Sequence, residues 1–204
     1  MDKYIGRKGY SIKKKGLSQT QLYELRNDLT VKPNNGINSY VTSTSYPIYR
    51  ESPNKIYIPR YYGIERIGPC DIIKISHGNN IHLEFVGKLF DYQNNIIKKY
   101  LNHVGESGGG LLDVEPGKGK TVMALNIISK LNKKTLVVVH KTFLLNQWKE
   151  RINQFLPNAK IGIIQAQKID IEDKDIVIGM LQTLSTKDLH EEIINQFGLT
   201  IYDE

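Results

Sequence analysis

The spacing of apolar residues changes character near residue 88. Before that point, Ser18 precedes a run in which Leu22, Leu25 and Leu29 recur at helical intervals, with Gln21 three residues after the serine. That capping-box pattern predicts a helix with one buried face. Lys13, Lys14 and Lys15 close a short strand-like stretch ahead of it, Gly16 breaks the chain, and Pro33, Asn34, Asn35 and Gly36 predict the turn that follows. Residues 37–69 are rich in Tyr, Ser, Thr, Ile and Pro, as in short strands and loops, with a strand expected over 55–62. Beyond residue 88 a helix is expected over about 92–103, followed by the glycines Gly108, Gly109 and Gly110. Apolar strands are then expected at 111–114, 135–140, 160–165, 175–179 and 199–203, separated by helices starting near Gly119, Thr142 and Lys187. Alternation of this kind predicts an α/β fold whose parallel sheet is covered on both faces, preceded by a small α+β domain. The expected division is 1–88 and 89–204.

Composition narrows the class. The 204 residues are 40% hydrophobic, ordinary for a chain that buries a core. No run approaches the roughly 20 apolar residues of a membrane span. The basic N-terminus is not followed by the apolar block of a signal peptide, so an intracellular protein is expected. Cys70 is the single cysteine and the five histidines are scattered, which argues against a disulfide framework or a structural zinc. The formal charge of +7 is uneven: residues 1–88 hold fourteen Lys and Arg against seven Asp and Glu, whereas residues 89–204 hold fourteen of each. A basic module joined to a neutral one fits a polyanion held by the first part, with solubility as the plainer reading. The mixture of Tyr49, Arg50, Tyr57, Arg60, Tyr61 and Tyr62 suits base stacking and phosphate pairing, with an ordinary β surface as the plainer reading.

The sharpest chemical signal is Val114-Glu115-Pro116-Gly117-Lys118-Gly119-Lys120-Thr121, set between an expected buried strand and an amphipathic helix. Glycines at 117 and 119 let the backbone curl until successive N–H groups face one centre, where the helix dipole adds positive potential. Pro116, Gly117, Lys118, Gly119, Lys120 and Thr121 are the expected phosphate-binding residues. Lys120 reaches the β and γ phosphates and Thr121 offers a hydroxyl to Mg²⁺. The strict pattern has Gly where this chain has Val114. About 80 residues on, Asp203 and Glu204 stand at the end of an apolar strand. Two acids there divide the work in a phosphate-loop ATPase: Asp203 for the metal, Glu204 for the attacking water. Lys120, Asp203 and Glu204 are thus the candidate catalytic residues.

These blocks resemble motifs I and II of superfamily 2 helicases, whose motif II begins Asp-Glu. Residues 136–148 resemble motif Ia, and residues 175–184 the next strand-and-turn block. The resemblance implies nucleic-acid contacts at His140, Lys141, Gln182 and Thr183, although His140 and Lys141 stand where Pro-Thr is usual. Residues 89–93 resemble the adenine-reading Q motif of the branch containing XPB and related DNA translocases; Phe90 replaces its usual Arg, leaving adenine contact to Gln93 and Tyr92. Trp148 reads as core. Segments of the N-terminal part look similar to the leaders of helicases from large cytoplasmic DNA viruses, which would place the protein in host cytoplasm or virion.

The resemblance implies a RecA-like domain, cut off inside its Walker B motif, with ATP and Mg as cofactors and DNA, or RNA, as partner. It also implies a second RecA-like domain downstream that supplies arginines to the γ phosphate. Loss of such an arginine typically costs ~10³ to 10⁵ in rate, so the 204 residues alone are expected to turn over ATP barely or not at all. Two other classes stay open: a DNA-binding module with a vestigial phosphate loop, and a phosphate-loop kinase.

Overall fold

The structure, a computed structural model, describes residues 3–32 and 44–203. The chain divides into two compact units between Ile75 and Ser76.

The first unit contains β1 (Lys3–Gly6), β2 (Gly9–Lys13), α1 (Gln19–Asp28), β3 (Thr30–Val31), β4 (Tyr46–Pro47), β5 (Arg50–Glu51), β6 (Lys55–Ile58), α2 (Arg60–Ile67) and β7 (Ile72–Ile73). Its main sheet runs β5-β6-β2-β1-β7, antiparallel except for the β1·β7 pair. The expected capping box is present: Gln21 N–H donates to Ser18 Oγ at 3.1 Å and Ser18 N–H to Gln21 Oε1 at 2.9 Å. Leu22, Leu25 and Leu29 are buried with Ile5, Tyr10, Ile12, Ile56 and Ile58. The turn expected at residues 33–36 lies outside the described residues.

The strand expected over 55–62 is corrected. It stops at Ile58, because Pro59 has no N–H to continue a ladder and its φ of −53° suits the entry to α2. Gly63 then lets α2 lie directly on Tyr10, where a Cβ would come 2.4 Å from the ring. Of the basic and aromatic mixture, Arg60 stands over the Tyr61 ring at 5.6 Å and Tyr62 donates to Asp28 Oδ2 at 3.0 Å.

The second unit holds α3 (Asp91–Ser107), α4 (Lys120–Leu131), β8 (Thr135–Val139), α5 (Thr142–Phe155), β9 (Ile161–Gln165), β10 (Lys168–Asp170), β11 (Ile176–Met180), α6 (Leu181–Thr186), α7 (Glu191–Ile194) and β12 (Leu199–Asp203). The sheet order is β10-β9-β11-β8-β12; β9, β11, β8 and β12 are parallel, and β10 returns antiparallel to β9 as a hairpin. Buried β-branched runs make the central strands, as both faces are covered. Val137, Val139, Ile176 and Ile178 share a core with residues of α4 and α5. On the other face Leu136 and Val177 meet Leu189 and Phe197.

Three local expectations change. Residues 111–114 form no strand among the described residues: they lie beside α3 and α4, with Leu112 and Val114 against Ile97, Met123 and Ile127. The helix expected near Lys187 is two short ones, since α6 springs directly from β11 and Lys187 is its C-cap. Residues 76–88, which the change of texture leaves with the first module, lie on the second unit. Leu83 is in its core, Phe85 stacks on Phe155 at 5.5 Å, and Val86 N–H donates to Phe155 O at 2.8 Å.

Candidate functional site

The loop between residue 114 and α4 turns on two left-handed glycines, Gly117 at φ +80° and Gly119 at φ +82°. Gly119 is the N-cap of α4, and no side chain caps that end, so the first amides of a twelve-residue helix stay open to an anion. Lys120 curls back to donate to Val114 O at 3.3 Å. An ammonium held this loosely at the loop's own backbone is placed to exchange that carbonyl for phosphate oxygens.

Residues at the start of α3 hold the loop from behind. Gln93 is buried; its Nε2 donates to Lys118 O at 3.0 Å and its Oε1 accepts from Phe90 N–H at 3.0 Å. Tyr92 donates its hydroxyl to the same Lys118 carbonyl at 3.1 Å. The residue expected to read a base is thus engaged by the loop itself. Phe90 and Tyr92 stack on each other at 5.8 Å with much of both rings exposed, an aromatic platform beside the loop.

Lys120, Thr121 and Asp203 line one cleft of about 310 Å³. Asp203 reaches it from the carboxyl end of β12, opposite Val139 of β8. Crevices at the carboxyl ends of parallel strands are where α/β sheets bind ligands. Trp148, from α5, lines the same cleft and donates its indole N–H to Asp203 Oδ2 at 2.7 Å. Glu204 lies outside the described residues.

The donor chemistry fits Mg²⁺. A hydroxyl and a carboxylate are hard oxygen ligands, and this ion is held by one or two protein oxygens together with substrate phosphates. Among the described residues no cluster of three or more His, Cys, Asp or Glu forms an all-protein cage for a metal.

The four residues expected near nucleic acid separate. His140 and Gln182 are brought together at the same end of the sheet, Gln182 Nε2 donating to His140 O at 2.9 Å. Lys141 is exposed, at the N-cap of α5, with Nζ 5.9 Å from the Phe143 ring centre. Thr183 instead turns inward, buried, with Oγ1 accepting from Ala166 N–H at 3.0 Å.

Two polar residues escaped the sequence reading. Trp148 was legible as core, which it is at 1% exposure, while its hydrogen bond to an acid 55 residues away left no local trace. Lys134 looks like a surface lysine in the run Lys133-Lys134, yet it is buried, with Nζ on Ile171 O at 2.7 Å and Gln196 Oε1 at 2.8 Å. Burial pushes its pKa down from the usual lysine value.

A family model described as Type III restriction enzyme, res subunit, matches residues 87–204. The putative ATP-dependent RNA helicase of Acanthamoeba polyphaga mimivirus is 36% identical over 205 aligned positions, covering 98% of this chain and 39% of that protein. The DNA 3'-5' translocase XPB2 of Sulfurisphaera tokodaii is 36% identical over 117 positions, 57% of this chain and 25% of its own length. Among solved structures, the Sulfolobus solfataricus SWI2/SNF2 ATPase core domain matches with a TM-score of 0.50 at 20% identity, over 64% of this chain and 28% of that one. That likeness is one of fold, and it makes the α/β part of this chain RecA-like. The chain spans 39% and 25% of the lengths of the two curated relatives.

Proposed function

We propose that this chain, which belongs to the Type III restriction enzyme res-subunit family within the superfamily 2 helicases, carries the nucleotide-binding domain of an ATP-driven motor that moves along DNA inside the cell. The observation that carries the reading is the shared cleft: Lys120 and Thr121 from the start of α4 face the same space as Asp203 from the end of β12. The open amides at the start of α4 bind the phosphate tail, and Lys120 neutralises its β and γ oxygens. Thr121 and Asp203 would hold Mg²⁺, which would screen the charge that builds on the transferring phosphoryl group. Glu204 orients the water. Gln93 and Tyr92 keep the loop in its binding shape through Lys118 O.

Lys141 and the paired His140 and Gln182 supply the nucleic-acid track, at the same carboxyl edge of the sheet as the cleft. The basic first part, residues 1–88 in the sequence division, adds phosphate contacts, and a second RecA-like domain supplies the arginines that complete hydrolysis. Among the described residues no helix is long and apolar enough to cross a membrane.

The test is binding of a fluorescent ATP analogue, excited directly, to the wild-type chain and to Lys120→Ala. The variant is expected to lose at least about tenfold in affinity, about 1.4 kcal/mol, with an unchanged melting temperature. Equal binding by both proteins sinks the proposal. Absence of binding by the wild type favours the alternative of a DNA-binding module with a vestigial loop. Steady turnover by the wild-type chain is expected to be barely measurable, with or without DNA.

A further inference from the structure

We infer that Trp148 is a positioning residue for the metal-holding carboxylate: its indole N–H fixes one oxygen of Asp203, so that the orientation of that acid is set by α5. The inference rests on the nucleotide reading above and extends it to a residue of the motif Ia-like block that sequence alone assigns to the core.

The geometry separates this role from plain packing. Trp148 is 1% exposed, among Leu144, Leu145, Ile152 and the strand residues of its core. A buried indole needs an acceptor for its N–H, and any carbonyl would serve. The acceptor here is the carboxylate that ends β12, at 2.7 Å, within the short range of a charge-assisted bond. Among the described residues β12 pairs with β8, in register through Asp203 and Val139. Among the described residues Trp148 is the side chain that Asp203 accepts from. With Oδ2 engaged by the indole, Oδ1 is the oxygen without that donor, in a cleft that Thr121 also lines.

The position of Trp148 on α5 adds a second consequence. It lies seven residues after Lys141, the N-cap of the helix, or about 10 Å along a rigid rod. A shift of that helix end is delivered to the carboxylate through one hydrogen bond.

Trp148 is also the only tryptophan in the chain, so indole emission reports the surroundings of this one residue. Two measurements test the inference. In the first, binding of the fluorescent ATP analogue is followed under direct excitation, with EDTA and then across a Mg²⁺ titration, for wild type and Trp148→Phe. Phe keeps an aromatic filler and removes the donor. Metal-free binding is expected to stay within about twofold, while half-saturating Mg²⁺ rises about five- to tenfold. Identical Mg²⁺ dependence in the two proteins overturns the inference and leaves the nucleotide reading intact. Failure of the wild type to bind the analogue at all overturns that reading, and this inference with it.

The second measurement needs no variant and covers the case in which Phe does not fold. With unlabelled ADP saturating, Mg²⁺ is expected to change the intensity or maximum of Trp148 emission in the wild type, and the change is expected to vanish in Asp203→Ala. Emission indifferent to Mg²⁺ while the nucleotide is bound overturns the inference.

Discussion

Replacing Gly119 by Ala tests how the phosphate loop is built, because two separate costs meet at that position. The first is conformational. At φ +82° an L-residue stands in the left-handed region, which costs roughly 1–2 kcal/mol. The second is steric: the new Cβ would lie 2.6 Å from Gln93 Nε2, so the amide must withdraw from Lys118 O and forfeit a hydrogen bond worth about 1 kcal/mol. Gly117 provides the control. Its φ of +80° carries the same conformational cost, yet nothing lies within 4 Å of an added Cβ. Gly119→Ala is therefore expected to destabilise by about 2–3 kcal/mol and Gly117→Ala by about 1–2 kcal/mol. Urea unfolding followed by Trp148 emission reads the second unit directly. In a Gln93→Ala background the steric part disappears, and Gly119→Ala should fall to the cost of its neighbour. Equal destabilisation by the two glycine variants in the wild-type background would show that Gln93 does not brace the loop. So would a Gly119→Ala cost that ignores the residue at 93.

Two further outcomes follow from the same contacts. Gln93 spends its amide on Lys118 O and Phe90 N–H, leaving an aromatic platform without a base-reading hydrogen bond; competition against the fluorescent analogue should rank ATP and GTP within about tenfold, or 1.4 kcal/mol, and a larger preference for ATP would mean that another group reads the base. In the first unit, the Arg26 guanidinium and then the Lys14 ammonium hold the Glu51 carboxyl down at about 2, from an ordinary 4.5. A lowered carboxyl pKa means that the unfolded chain takes up the proton first. This stabilisation is complete above about pH 4.5 and lost as pH falls through 2, so Glu51→Gln should lower the melting temperature near pH 7 and converge with wild type at the acid end of that window. Parallel melting curves for the two proteins from pH 7 to 2 would refute the assignment.

What could be read from the sequence was whatever the backbone alone requires. Glycines at fixed offsets before a helix state the loop's dihedral angles, and apolar runs ending at Val139, Met180 and Asp203 state which strand ends lie along one edge. Ser18 and Gln21 were readable for the same reason: their bonds close within three residues. The end of β6 at Pro59 is a local miss; the others below are decided by a partner distant in sequence. Residues 111–114 have a strand's composition, but a strand also needs a neighbour on its hydrogen-bonding edge, and composition carries no record of one. Thr183 has the polarity of a nucleic-acid contact; the left-handed turn at Ala166 takes its hydroxyl instead. Gln93 follows the motif that reads adenine, yet the absence of a Cβ at Gly119 opens the space that lets its amide reach the loop carbonyl. Helical spacing assigns Trp148 to the buried face of α5, and that is correct for its ring. Nothing in the spacing says where the N–H points, because its acceptor sits on a strand that enters the sheet two crossovers later. A core position and a site position are the same residue here, and only the acceptor distinguishes them.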